Sequence, residues 1–201
     1  RASDTDELPA GAGEEELALL ESAAAGTTER DDRVRARCAL DPAPPWSVLA
    51  ITFTNKAAGE LKTRLAAKLG AEASDIWALT FHSACARILR RDADRLGFTK
   101  SFTIYDQSDS LAVMKRVLKE MDVDDRVWPP KAMLNAACRY KGELLAPEDA
   151  LAAEQKSGDI RRIRTAQICS AYARRLREAD AMDFDDLLYF CVRLLRENAD
   201  V

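Results

Sequence analysis

Two short stretches carry side chains suited to holding a polyanion that bears flat bases. The first runs Ile51-Thr52-Phe53-Thr54-Asn55-Lys56-Ala57-Ala58 and continues to Leu65. Thr52, Thr54 and Asn55 can donate hydrogen bonds to phosphate oxygens, and Lys56 adds positive charge. Phe53 offers a face on which a base stacks. The second stretch is Thr80-Phe81-His82-Ser83, followed by Arg87, Arg90 and Arg91. His82 is the only histidine, so any histidine-dependent catalytic arrangement must use it. Cys85 stands one helical turn away, but nothing else around it supports an activated thiol. Helix capping or phosphate contact suits His82 better. From spacing alone, the plainer reading of both stretches is a capped helix with a core phenylalanine and solvated cations.

Both stretches fall where a strand turns into a helix. Val48–Phe53 is an almost unbroken apolar run, the pattern of a strand covered on both faces. Thr54 or Asn55 caps a helix over 56–69, with Leu61, Leu65 and Leu69 in line and Gly70 as its stop. Ile76–Phe81 repeats the strand. His82–Leu96 repeats the helix, with Cys85, Ile88, Leu89 and Leu96 on one face and Gly97 after it. Phe102–Tyr105 is a third strand. Strand and helix in alternation predict a parallel, doubly wound sheet, whose ligands sit at the carboxyl ends of the strands.

Beyond Tyr105 the pattern is helical. Asp106 with Asp109 predicts a capped helix with a Leu111, Met114, Val117, Leu118, Met121 stripe. Pro129-Pro130 opens a helix to about residue 143, Pro147 opens a short one, and 159–179 is long and basic. Asp183 caps a last helix whose apolar face is read as Phe184, Leu187, Leu188, Cys191, Leu194 and Leu195.

Composition narrows the classes. The chain has 201 residues and a net charge of −4. Residues 1–32 hold ten acids against two bases, a net of −8, so the remainder carries +4. That surplus alone is too small to argue for nucleic acid. The five cysteines, at 38, 85, 138, 169 and 191, are odd in number and widely spaced, which disfavours zinc or a disulfide framework. No run approaches the ~18 apolar residues of a membrane span. The acidic start lacks a secretion pattern. A cytoplasmic protein without a membrane partner is expected.

Taken together, Thr52-Phe-Thr-Asn-Lys-Ala-Ala58 and Thr80-Phe-His82 resemble motifs Ia and Ib of the superfamily 1 DNA helicases of the UvrD/PcrA/Rep group. Three further segments agree in order: Phe102–Leu111, Trp128-Pro-Pro-Lys131 and Met182-Asp-Phe-Asp-Asp-Leu-Leu188. The resemblance implies an α/β, RecA-like P-loop NTPase sheet (subdomain 1A, incomplete here) with an all-helical 1B subdomain inserted in it. The expected division is an acidic, weakly structured leader at 1–45, 1A at 46–106, 1B at 107–181 and the return into 1A at 182–201. The implied activity is ATP-dependent 3′ to 5′ translocation on single-stranded DNA with duplex unwinding. Thr52, Phe53, Thr54, Asn55, Lys56, Thr80, Phe81 and His82 become DNA contacts. Lys131, Arg139 and Lys141 become candidates for duplex contact. The intact parent would use ATP and Mg2+, and the rest of the helicase would be the chain's partner.

The departures are specific. No Gly-Lys-Ser or Gly-Lys-Thr phosphate loop is present. The nearest match, Ala10-Gly11-Ala12-Gly13, runs into Glu14-Glu15-Glu16, which repel a triphosphate, and its distance from Thr52 does not fit the family spacing. The Asp-Glu strand expected after the last helix does not occur before Val201. The chain alone is therefore expected to hold no catalytic residue and not to hydrolyse ATP. The alternative is a non-catalytic nucleic-acid-binding or interaction module on a helicase scaffold.

Overall fold

A computed structural model describes residues 13–26 and 43–201. Ala10–Ala12 of the glycine-rich match, the rest of the leader and linker, and Cys38 lie outside the described residues. Helix α1 spans Glu14–Ala24, close to the short Glu/Leu/Ala helix that composition predicts. The chain groups into two units. One combines residues up to Leu49 with Leu65–Trp77, and the other combines Ala50–Arg64 with Ala78–Val201.

In the first unit, a 3-10 turn at Pro45–Ser47 lies close to a second at Gly70–Asp75. The Trp77 amide donates to the Val48 carbonyl at 3.0 Å. Gly70 has φ +63°, a backbone region that favours glycine, and it ends the preceding helix as expected. Strand β1 (Leu49–Thr52), helix α2 (Asn55–Leu69) and strand β2 (Trp77–Thr80) each run across the unit boundary. β1 pairs with β2.

In the second unit, α3 covers Phe81–Asp92 and a 3-10 turn carries it to Leu96, where Gly97 at φ +77° stops it. Strand β3 is only Thr103–Ile104. Four helices follow: α4 (Gln107–Glu120), α5 (Pro130–Gly142), α6 (Pro147–Ser157) and α7 (Ile160–Glu178). Strand β4 (Ala181–Met182) then pairs in parallel with β3, Thr103 opposite Ala181 and Ile104 opposite Met182. Helix α8 spans Phe184–Glu197.

The caps are local chemistry. Asp106 accepts from the Ser108 and Asp109 amides while Asp109 accepts from the Asp106 amide, a reciprocal capping box at the start of α4. Asp183 and Asp186 do the same for α8. Pro130 and Pro147 occupy first-turn positions, where a missing N–H costs nothing.

Two apolar cores build the second unit. Met114, Val117 and Leu118 of α4 pack with Met133, Ala137 and Tyr140 of α5, Ala150 of α6, and Ile168, Tyr172 and Leu176 of α7. Leu89 of α3 packs with Phe98, Phe102, Met182, and Leu187, Cys191 and Leu194 of α8.

Four expectations need correction. A single doubly wound sheet is not formed by the described residues, which make two separate two-stranded sheets. The third strand shrinks to two residues, with the Thr103 and Tyr105 amides donating to Asp180 and Met182 of one neighbour. β1 is not covered on both faces. Leu49 and Ile51 are exposed, and Ala50 and Thr52 are only partly buried. On α8, Phe184 and Leu195 face solvent, and Asp186 and Tyr189 take buried places instead.

Candidate nucleic-acid interface

The start of α2 presents open donors. Thr54 caps it: its Oγ1 accepts from the Ala57 amide at 3.1 Å, and its carbonyl accepts from the Ala58 amide at 3.0 Å. Thr52 Oγ1 donates to the Thr54 carbonyl at 3.2 Å and holds the turn. Asn55 and Lys56 are exposed, and no acidic residue stands in the first turn. The first amides of a helix lack intrahelical partners and carry the positive end of its dipole. This corner can therefore receive phosphate.

Next to it lies an aromatic row. Phe53 is 89% exposed and Phe81 41% exposed, although both are large apolar side chains. Their ring centroids are 5.3 Å apart, with planes tilted by 47°. His82 meets Phe184 edge-on at 5.8 Å, and Phe184 is itself exposed. Two ring pairs, Phe53 with Phe81 and His82 with Phe184, thus stand on the second unit, where water disfavours exposed rings. Bases stack on such rings without regard to sequence, each worth about 1–3 kcal/mol.

The remaining expected contacts separate into two groups. Thr80 is buried; its Oγ1 accepts from the Ser83 amide at 3.3 Å and donates to Ser83 Oγ at 2.9 Å. It starts α3 and so aims Phe81 and His82, rather than facing a ligand. On α5, Lys131 and Arg139 are exposed, and the Arg139 guanidinium lies 5.2 Å from the Tyr140 ring.

Lys141 is the correction. Two positions beyond Arg139, a helix has turned by about 200°, and the Lys141 side chain is only 11% exposed. Its Nζ stands 2.7 Å from Asp183 Oδ2 and 2.8 Å from Asp186 Oδ1. A lysine held this way by two carboxylates is not available to a duplex. Tyr172 also donates to Asp183 Oδ2, at 2.9 Å.

The cluster sets its own protonation. Burial raises the Asp186 carboxyl to about 6 against the pull of Lys141. Burial also works against Asp183 and Lys141, but the pull of Lys141 on Asp183, and of Asp186 and then Asp183 on Lys141, prevails. Asp183 is held below, and Lys141 above, its ordinary value.

Other candidate chemistry finds little support. Cys85 pairs through its thiol with Cys191 rather than with His82, which lowers its pKa against the opposing effect of burial. Among the described residues no group of three His, Cys, Asp or Glu could hold a metal ion. Nor do the described residues fit ATP and Mg2+. Glu14 and Glu15 open α1 after Gly13, and Asp183 and Asp186 are held by Lys141. Among the described residues no helix is long and apolar enough to cross a membrane.

Comparison with known proteins places these features in context. Residues 32–201 match the family described as the UvrD/REP helicase N-terminal domain. Over 150 residues the chain is 44% identical to the ATP-dependent DNA helicase PcrA of Staphylococcus epidermidis (strain RP62A), covering 75% of this chain and 20% of that protein. Over 157 residues it is 43% identical to the ATP-dependent DNA helicase PcrA of Staphylococcus aureus (strain Mu50), covering 78% and 21%. The chain spans about a fifth of the length of the relatives it matches.

Proposed function

Because the chain belongs to the UvrD/REP helicase family through its N-terminal domain, we propose that it supplies the single-stranded DNA contacts of an ATP-dependent 3′ to 5′ DNA helicase. The observation that carries this reading is the exposed Phe53–Phe81 ring pair beside the open start of α2. Bases stack on Phe53 and Phe81, with His82 and Phe184 extending the row. Phosphates take the first amides of α2, Asn55, Thr54 and the Lys56 ammonium. Thr52 and Thr80 act as positioning residues that hold the two turns.

The segment over 107–181 is read as the 1B subdomain, with Lys131 and Arg139 on its duplex-facing side. ATP, Mg2+ and the remainder of the helicase belong to the intact protein. Nucleotide hydrolysis is assigned to no residue described above.

The test is anisotropy of a labelled oligo(dT) titrated with the purified chain. Phe53→Ala removes a stacking face and should weaken binding by about 1–3 kcal/mol. The ring is almost fully exposed, so circular dichroism should not change. Undiminished affinity with the fold intact would place the DNA elsewhere.

A further inference from the structure

A cavity of about 430 Å3 lies in the second unit, walled by α5, α6, α7 and α8 together with Phe98. It shares no residue with the aromatic row. Its size falls in the range of small-molecule sites, which are mostly apolar with a few convergent polar groups. Phe98, Leu145 and Phe190 provide flat and branched apolar surface.

Arg177, Arg193 and Tyr189 supply hydrogen-bond donors. Arg177 lines the cavity, stacks 4.1 Å from the Phe98 centroid and donates to the Leu96 carbonyl. No carboxylate among the described residues forms an ion pair with it. Burial, and then the like charge of Arg193, depress its pKa against the opposing pull of Asp186 and Glu148. Arg193 also lines the cavity and is bound by Glu197 at 2.7 Å. Tyr189 also lines the cavity, its ring 5.7 Å from the Arg193 guanidinium and its buried hydroxyl without a hydrogen-bond partner. A buried donor left unpaired is costly, and a nearby acceptor relieves it.

Two acids also line the cavity. Asp186 faces the Lys141 ammonium at 2.8 Å, which it shares with Asp183. Glu148 is exposed, where water screens it.

We propose that this cavity binds a small organic anion with a flat apolar body, its charged group set against Arg177, Arg193 and the Tyr189 hydroxyl. The anion separates two like charges and satisfies the phenol, while its body covers the aromatic wall. A neutral molecule of the same shape gains only the second part.

The probe is 1-anilinonaphthalene-8-sulfonate, titrated by fluorescence into the purified chain, with N-phenyl-1-naphthylamine as its neutral counterpart. Saturable one-to-one binding of the sulfonate is expected, with the neutral compound weaker by about tenfold. Arg193→Gln should weaken the sulfonate by about tenfold and leave the neutral compound unchanged. Ala173→Trp should abolish both by filling the space. Phe53→Ala should alter neither, which separates this site from the DNA-binding reading. Equal affinity for the two probes, indifference to Arg193→Gln, or loss on Phe53→Ala overturns the proposal.

Discussion

Lys141→Met is the most informative single change. The ammonium lies 2.7 and 2.8 Å from two carboxylates whose side chains are as buried as its own. Methionine matches the stem in length and removes only the charge. Asp183 and Asp186 are then left facing each other without a cation. Removing one partner of a buried ion pair costs about 3–5 kcal/mol. With a urea dependence of about 2 kcal/mol per molar, the unfolding midpoint at pH 8 should fall by roughly 1.5–2.5 M.

The pH dependence follows from the carboxyls. Asp186 titrates at about 6 in the folded chain, above its ordinary value of about 3.9. Its contribution to stability is therefore complete below about pH 4 and is lost as pH rises through 6. Asp183 works the other way: its folded value is depressed, so its contribution is lost only as pH falls below the ordinary carboxyl range. Without Lys141, burial of Asp186 goes unopposed and its window extends above 6, at about 1.4 kcal/mol per unit. The variant should thus be much closer to the parent at pH 5 than at pH 8. Adding Asp186→Asn, which keeps an acceptor for the Asp183 amide, should recover part of the loss. Urea titrations followed by circular dichroism at both pH values decide the matter. A midpoint shift below roughly 0.5 M, or the same shift at pH 5 and pH 8, would refute a buried charge cluster.

Two other changes probe the DNA reading and its support. Lys56→Ala should weaken oligo(dT) binding evenly across sequences and reduce the log–log salt slope by about 1, measured by anisotropy at several salt concentrations. Leu89→Ala empties a fully buried position beneath α3; it should cost about 2–5 kcal/mol in urea unfolding and, because α3 carries Phe81, weaken DNA binding as well.

Much of the local architecture was legible because its causes are local. Asp106, Asp183, Pro130, Pro147 and Gly97 each act within a few residues, and each marks an element boundary in the structure. Phe53 and Phe81 stood out through the motifs they belong to, but their contact depends on the pairing of β1 with β2. What could not be read depends on neighbours distant in sequence. The apolar run of β1 has the composition of a covered strand, but exposure depends on what packs against it. Lys141 looks like Lys131 and Arg139 in sequence. Only the docking of α5 against α8 turns it inward. No periodicity reveals that the counter-ion of Asp186 comes from another helix. Phe184 was counted with the apolar face of α8. Side chains lean toward the helix start, so a ring at the first position extends past the packed face to meet His82.

The β3–β4 pair has a consequence for the order of folding. The Thr99 amide bonds to Asp180 across 81 positions, and the two strands contribute only two residues each. So short a ladder cannot by itself offset the entropy of closing so long a loop. The four intervening helices pack on one another across loops shorter than the 81-position one, and the shorter loops close first. Their assembly carries Tyr105 and Ala181 toward each other and turns a distant encounter into a local one. The strands close last, and in pulsed hydrogen exchange the Thr103 and Tyr105 amides gain protection after those of α4 and α7. The helical segment is then the template on which this part of the sheet is joined.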